Sequence, residues 1–186
     1  MDWILFGLVA VWLGIISWFD IRKNEIPHSA WVVVPFCLAN LFQCISGQWP
    51  LVFLAVWIAL TSERERISGI IRLPEFKQLP PWMPLFVPAL YWALQVSPVS
   101  ALALLGFWTA WELRCWGGAD AVTAMTLVLF YPGWFFILAF LVAHVLVLIG
   151  MGLFALFRER KIRLHRVPGL PILLGAVVLM QIYLWV

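Results

Sequence analysis

Two aspartates, Asp20 and Asp120, have the surroundings in this sequence that best suit chemistry. Asp20 ends the first apolar segment, and Asp120 follows a pair of glycines at the start of a later one. Two carboxyl groups brought close together cannot both ionise cheaply, so they share one proton. The ionised partner can take a proton from water while the protonated partner donates a hydrogen bond to a peptide carbonyl. The sequence therefore predicts an aspartyl protease dyad, provided that the two acids meet.

The segment Gly117-Gly118-Ala119-Asp120 forms the local setting of the second aspartate. Glycine reaches backbone angles that are closed to other residues and lets another chain come close. We therefore expect a loosened turn at which an extended peptide docks by main-chain hydrogen bonds beside Asp120. The alternative is a glycine that simply ends the preceding helix.

The composition indicates which solvent surrounds the chain. Of its 186 residues, 65% are hydrophobic and 11% are charged, and the mean hydropathy is +1.00. A soluble domain has roughly a quarter of its residues charged and about half of them apolar. These values exclude an ordinary soluble protein and predict a multi-pass membrane protein. The first apolar run lacks the basic start of a secretory signal, so we interpret it as a retained helix.

Proline, glycine and polar residues divide the chain into apolar segments that predict the fold. A helix needs about 20 apolar residues to cross a bilayer, so several of these segments are short. The sequence predicts an all-α, polytopic transmembrane helix bundle of six to eight spans, with eight preferred, in a single membrane-embedded domain over residues 1–186. The segments are Trp3–Phe19, Ser29–Ile45, Leu51–Thr61, Trp82–Val96, Val99–Leu113, Ala121–Tyr131, Trp134–Phe157 and Pro168–Val186.

The positive charges predict the orientation of these segments. All twelve lysines and arginines follow the first, third, fifth or seventh segment, and the connections between carry none. Basic connections stay in the cytoplasm. The pattern therefore predicts that both termini are extracytoplasmic, and it places Asp20 and Asp120 at the cytoplasmic boundary of the membrane.

The longest connection, residues 62–81, is expected on the cytoplasmic side and has two parts. Ile67, Ile70 and Ile71 recur at the spacing of an amphipathic helix, which predicts a short helix on the membrane surface. Four prolines between Leu73 and Pro84 exclude a regular helix from the second part. We interpret the connection as a surface linker, with a substrate-facing lip as the alternative.

Three short motifs resemble those of one family of membrane enzymes. The run DIRKNEIPH from Asp20 to His28 resembles the D-x-R-x-x-x-I-P-[NH] signature of type IV prepilin peptidases. The glycine turn before Asp120 resembles the G-x-G-D motif of the wider GxGD class of membrane aspartyl proteases. Residues 167–175 resemble the I-P-x-x-P-x-x-x-G start of the family's last helix. The motifs cover the two ends and the centre of the chain.

The resemblance implies an endopeptidase that removes the basic leader from prepilins, pseudopilins or archaellin-like proteins at the cytoplasmic membrane face. It implies a location in the cytoplasmic (inner) membrane and contact with membrane lipid, and it implies no metal, other cofactor or nucleic acid. The residues carried over from the motifs are the catalytic acids Asp20 and Asp120, the loop-shaping residues Gly117, Gly118 and Ala119, and the structural prolines Pro27 and Pro168.

Two departures and two alternatives accompany the resemblance. Ala119 stands where the motif has its second glycine, and the four-cysteine cytoplasmic region of larger bacterial members is absent. We therefore expect a compact form that does not methylate the trimmed product. The alternatives are a GxGD-type protease acting on other signal peptides, and a non-catalytic transporter or assembly subunit whose aspartates set topology or bind an ion.

Overall fold

The computed structural model describes residues 3–23, 29–63, 83–158 and 169–185, and every regular element in these ranges is a helix. The prediction of an all-α chain is confirmed for them. A π-helical turn over Ser29–Val33 leads into the second α-helix, and a 3-10 turn over Met83–Leu85 leads into the fourth. The eight α-helices are α1 (Trp3–Lys23), α2 (Val34–Ile45), α3 (Trp49–Ser62), α4 (Phe86–Val96), α5 (Pro98–Glu112), α6 (Gly118–Phe130), α7 (Trp134–Arg158) and α8 (Gly169–Trp185).

Two of the helices in the described ranges are long and apolar enough to cross a membrane. They are Trp3–Arg22 in α1, with a mean hydropathy of 2.1, and Trp134–Leu153 in α7, with a mean hydropathy of 2.6. The other helices are shorter, from 11 residues in α4 to 17 in α8. A helix rises about 1.5 Å per residue, so even α8 falls short of a hydrocarbon core roughly 30 Å thick.

The contacts divide the chain into two units, of which the first comprises Met1–Val33 and Trp134–Val186. In it, α8 packs against both α1 and α7. Its interior is mainly apolar, with Ser17 and Gln181 as the buried polar residues among those described. The side chains with no exposed surface include Leu13, Ile16, Leu170, Leu173, Ala176 and Val177.

The second unit comprises Val34–Gly133 and contains α2 to α6. α6 packs against α2 and α5, and α3 packs against α2, α4 and α5. All ten residues from Asp120 to Leu129 are buried. A helix buried on every side is a core helix, so α6 belongs to the core of the protein.

Side chains from two neighbouring helices hold the carboxyl end of α6. In a continuing helix the amide of Gly133 would serve the carbonyl of Leu129, but it donates to Ser100 Oγ instead, across 3.1 Å. The side-chain amide nitrogen of Gln43, in α2, donates to the Leu129 carbonyl. Pairing of buried backbone groups is the rule in proteins. The end of α6 is therefore tied to both α2 and α5.

Several predicted features lie outside the described residues. They include Pro27 and Pro168, the amphipathic run from Ile67 to Ile71, and three of the four prolines that follow it; the fourth, Pro84, lies in the 3-10 turn. Most of the basic residues that predict the orientation of the chain lie outside these ranges as well.

Candidate active site

Asp20 lies inside α1 instead of ending it. The helix continues through Lys23, so the carboxyl group occupies its last turn, where the side chain is half-buried. The continuous apolar run ends at Phe19. The helix continues because no glycine or proline lies between Asp20 and Lys23 to interrupt the backbone, and charged residues are tolerated in a helix. The guanidinium carbon of Arg22 lies 4.3 Å from the centre of the Trp18 ring. This cation–π contact fixes a positive charge two positions after Asp20.

The chain that returns after Asp20 is tied back to α1 at the π-helical turn. Pro35 has no N–H, so the carbonyl of Trp31 lacks the donor that a regular helix supplies four residues on. The indole nitrogen of Trp12 donates to this carbonyl across 2.8 Å. The Trp31 ring also packs against Phe19, with ring centroids 6.2 Å apart. The two contacts hold Trp31 against α1, one in the middle of the helix and the other near its end.

Asp120 is the third residue of α6 and is only 8% exposed. The sequence predicted that the helix begins at Ala121, just after the aspartate. It begins instead at Gly118, because the extended backbone of Gly117 (φ −67°, ψ 147°) takes the N-cap position. The carboxyl group therefore lies in the first turn, where free backbone N–H groups and the helix dipole interact favourably with a negative charge.

Arg114, and not a glycine, closes the end of α5. Its φ of 57° lies in the left-handed region, which costs an L-residue roughly 1–2 kcal/mol. The amides of Cys115 and Trp116 both donate to the carbonyl of Ala110, across 2.9 and 3.1 Å. These bonds satisfy a carbonyl at the helix end, as glycine caps do. Gly117 belongs to the next helix, so the alternative of a glycine ending α5 is wrong.

The two glycines of the turn do not use the backbone freedom predicted for them. Neither Gly117 nor Gly118 has a positive φ, so this part of the prediction is wrong. Gly118 matters for space instead, because a Cβ there would lie 3.0 Å from Nε1 of Trp111 and 3.2 Å from its Cε2. The group that approaches closely is an indole from α5. The methyl group of Ala119 is accommodated within α6 and is half-exposed.

Aromatic side chains pack at the ends of the helices near this turn. Trp108 Nε1 donates to Oε1 of Glu112 across 3.3 Å. Phe107 stacks on Trp116, with centroids 5.4 Å apart and 14° between the ring planes. Tryptophans around the turn thus pack within the second unit. Three rings, one each from α3, α4 and α5, also pack together. The centroid of Trp57 lies 4.6 Å from that of Phe86 and 5.5 Å from that of Trp108, and the last two are 5.8 Å apart.

The predicted site residues are divided between the two units. Asp20 belongs to the first unit, and the adjacent residues Gly117–Asp120 belong to the second. Pro27 and Pro168 lie outside the described residues. Asp20 therefore lies at the end of α1 in the first unit, and Asp120 lies at the start of α6 in the second.

Two residues on the helices that carry the acids were not predicted from the sequence. Trp12 supplies the donor for the Trp31 carbonyl, and Pro35 was the signal that this carbonyl needs one. Thr123, one turn after Asp120, is fully buried, and no sequence signal marked it.

The groups available for chemistry at these positions are carboxyl groups, which act as general acids and bases. Within the described part of the chain no three His, Cys, Asp or Glu side chains gather as metal ligands would. The cysteines there are free thiols, namely Cys37, Cys44 and Cys115. Compared with known proteins, the chain matches no family model, no curated protein and no solved structure.

Proposed function

We propose that the protein is a membrane-embedded aspartyl endopeptidase that removes the basic leader peptide of prepilin-like proteins at the cytoplasmic membrane face. The observation that carries the proposal is the setting of Asp120. It is a buried carboxyl group in the first turn of an enclosed helix, directly after a turn that resembles a GxGD motif. Burial and a helix terminus are the means by which enzymes adapt acids to catalysis.

Asp20 supplies the second acid in this proposal. It lies half-buried in the last turn of α1, and the residues that follow it resemble the first signature of prepilin peptidases. The hydrogen bond from Trp12 to Trp31 supports the chain that returns from this signature. An acid at the end of one helix and an acid at the start of another suit a dyad at one membrane face.

The proposed topology has eight helices that cross the membrane alternately, with both termini extracytoplasmic. It puts every lysine and arginine on the cytoplasmic side, as the positive-inside rule requires. It also puts Asp20 and Asp120 on that side. α1 and α7 match the bilayer by length, and the shorter helices are accommodated by local thinning of the bilayer or by flanking residues.

In the proposed reaction one aspartate is ionised and the other is protonated. The ionised carboxylate takes a proton from a water molecule as the water oxygen bonds to the scissile carbonyl carbon. The protonated carboxyl group donates a hydrogen bond to the carbonyl oxygen, on which negative charge develops. The tetrahedral intermediate then loses its C–N bond as the leaving amine takes the proton of this second carboxyl group, and the first aspartate keeps the proton taken from water. Neither aspartate performs both roles.

The proposed substrate is a membrane polypeptide with a short basic leader before a hydrophobic helix. The hydrophobic helix lies in the bilayer beside the enzyme, and the leader stays at the cytoplasmic face because its charge resists transfer into lipid. The scissile bond between the two parts thus lies at the depth proposed for both acids.

The test is leader removal from a prepilin-like substrate in membranes with equal amounts of wild type or variant. We expect Asp20→Asn and Asp120→Asn each to lower cleavage by about a hundredfold or more, the usual contribution of general acid–base catalysis. Glu112→Gln is the matched control, because it neutralises a carboxyl group near the same turn and its amide oxygen still accepts from Trp108. It should cleave at the wild-type rate.

Other outcomes separate the alternatives. Undiminished cleavage by both asparagine variants would exclude the dyad and leave a non-catalytic role for the two acids. Cleavage of remnant signal peptides without cleavage of a prepilin leader would retain the protease and overturn the substrate.

A further inference from the structure

Thr123 lies one turn along α6 from Asp120, and its hydroxyl group is buried without a hydrogen-bond partner among the described residues. The side chain has no exposed surface. Its Oγ1 has no hydrogen-bond partner among the residues that the structure describes. A buried hydroxyl group without a partner costs free energy, and nearly all buried polar side chains find one.

Threonines elsewhere in the helices show the bond that Thr123 does not make. The equivalent bond from Thr123 would go to the carbonyl of Ala119, immediately before Asp120. Three threonines donate to the carbonyl four residues earlier, across 2.8, 2.6 and 2.8 Å, namely Thr61, Thr109 and Thr126. This bond is common for threonine in a helix. Because Thr123 does not make it, its hydroxyl group remains available to another partner.

The spacing of residues along α6 shows where Thr123 lies. It is three positions after Asp120, so the two side chains share one side of the helix. It is seven positions before Phe130, and positions seven apart lie on the same stripe. The Phe130 ring packs against Phe42 of α2, with ring centroids 6.4 Å apart. Thr123 therefore belongs to the seam between α2 and α6, one turn inside Asp120.

We propose that Thr123 binds a buried water molecule in the seam between α2 and α6, that this water also hydrogen-bonds the Asp120 carboxyl group, and that Thr123 is thereby a positioning residue. Buried waters serve polar groups that would otherwise lack a partner, and a hydroxyl group can both donate and accept. The water site stands on the burial of Thr123, whereas the positioning role rests on the proposed function.

Three substitutions isolate the hydroxyl group. Thr123→Val removes it and keeps the shape of the side chain, whereas Thr123→Ser keeps the hydroxyl group. Thr126→Val is the matched control one turn further on, because the Thr126 hydroxyl already bonds to its own helix.

The first measurement does not depend on activity. Structures of purified wild type and Thr123→Val are determined at a resolution that shows ordered waters. We expect a water within hydrogen-bond distance of Thr123 Oγ1 in the wild type and none at that place in Thr123→Val. A dry seam in the wild type, or a Thr123 hydroxyl bonded to a protein group, would overturn the proposal.

The second measurement is cleavage of a prepilin-like substrate. We expect Thr123→Val to lower kcat about tenfold with KM unchanged, the scale of one hydrogen bond to a charged group. Thr123→Ser should restore most of kcat, and Thr126→Val should resemble the wild type. Equal kcat for the two valine variants would overturn the positioning role. An inactive wild type would overturn the proposed function together with that role, and the water site would still be judged by the first measurement.

Discussion

Gln43→Met should destabilise the second unit, because it removes the donor on which the Leu129 carbonyl depends. Gln43 is 1% exposed, and its amide nitrogen donates to that carbonyl. The backbone amide of Gly133, which would serve the carbonyl in a continuing helix, donates to Ser100 instead. Methionine keeps the length of the side chain but has no donor. The variant thus buries a carbonyl without its hydrogen bond.

The size of the effect follows from two opposing terms. A buried polar group left without its partner costs about 1–3 kcal/mol. The apolar end of methionine offsets part of this cost, because burial stabilises by about 25 cal/mol per Å². A net loss of about 1–2 kcal/mol lowers the midpoint of thermal unfolding by about 2–8 °C for a chain of this length.

The assay is thermal unfolding of purified protein in detergent, followed by circular dichroism. Gln181→Met, in α8, is the matched control. Gln181 is also buried, but its Oε1 has no hydrogen-bond partner among the described residues. The same substitution there removes an oxygen that contributes no bond, so the midpoint should stay unchanged or rise.

A midpoint for Gln43→Met at or above that of the wild type would refute this account of the carboxyl end of α6. An equal fall in Gln181→Met would show that the loss comes from methionine itself and not from the bond to Leu129.

Three further predictions concern the turn and the end of α1. Gly118→Ala should lower the unfolding midpoint, because overpacking against Trp111 costs about 1–3 kcal/mol, whereas the higher helix propensity of alanine stabilises by at most about 1 kcal/mol. A higher midpoint would contradict the close contact with Trp111. Trp12→Phe should cost about 1–2 kcal/mol, since the Trp31 carbonyl loses its donor, and a hydrogen-exchange measurement should show faster exchange in the π-helical turn; unchanged exchange would contradict it. In a variant with Cys37 and Cys44 replaced by alanine, a membrane-impermeant maleimide should label Cys115 only from the cytoplasmic face, and labelling of intact cells would reverse the proposed orientation.

The positions of the helices and most of their ends could be predicted from apolar runs, whereas the two ends that carry the aspartates could not. Hydropathy falls after Phe19, yet α1 continues to Lys23 because the last turn of a helix tolerates charge and a positive side chain interacts well with its dipole. α6 begins at Gly118 and not at Ala121, because the first helical residues make few intrahelical bonds and demand little propensity.

The candidate site could be predicted as motifs but not as contacts. Short motifs were enough to single out the two aspartates and the turn. The approach of Trp111 to Gly118 and the bond from Gln43 to Leu129 depend on which helices become neighbours. Periodicity indicates the face on which a residue lies, but not the helix that covers it. Contacts between residues that are distant in the sequence therefore could not be predicted from the sequence and became known only from the fold.

The enclosure of α6 also has a consequence for how the protein is made. Its 13 residues include an aspartate and two threonines, and about 20 apolar residues are needed for a segment to span lipid by itself. Such a segment partitions poorly into the bilayer unless other helices pack against it. Its packing partners, α2 and α5, precede it in the chain and leave the ribosome first. In the proposed topology, the last helix of the second unit therefore enters the membrane after the helices that it packs against, so the order of synthesis matches the order of assembly.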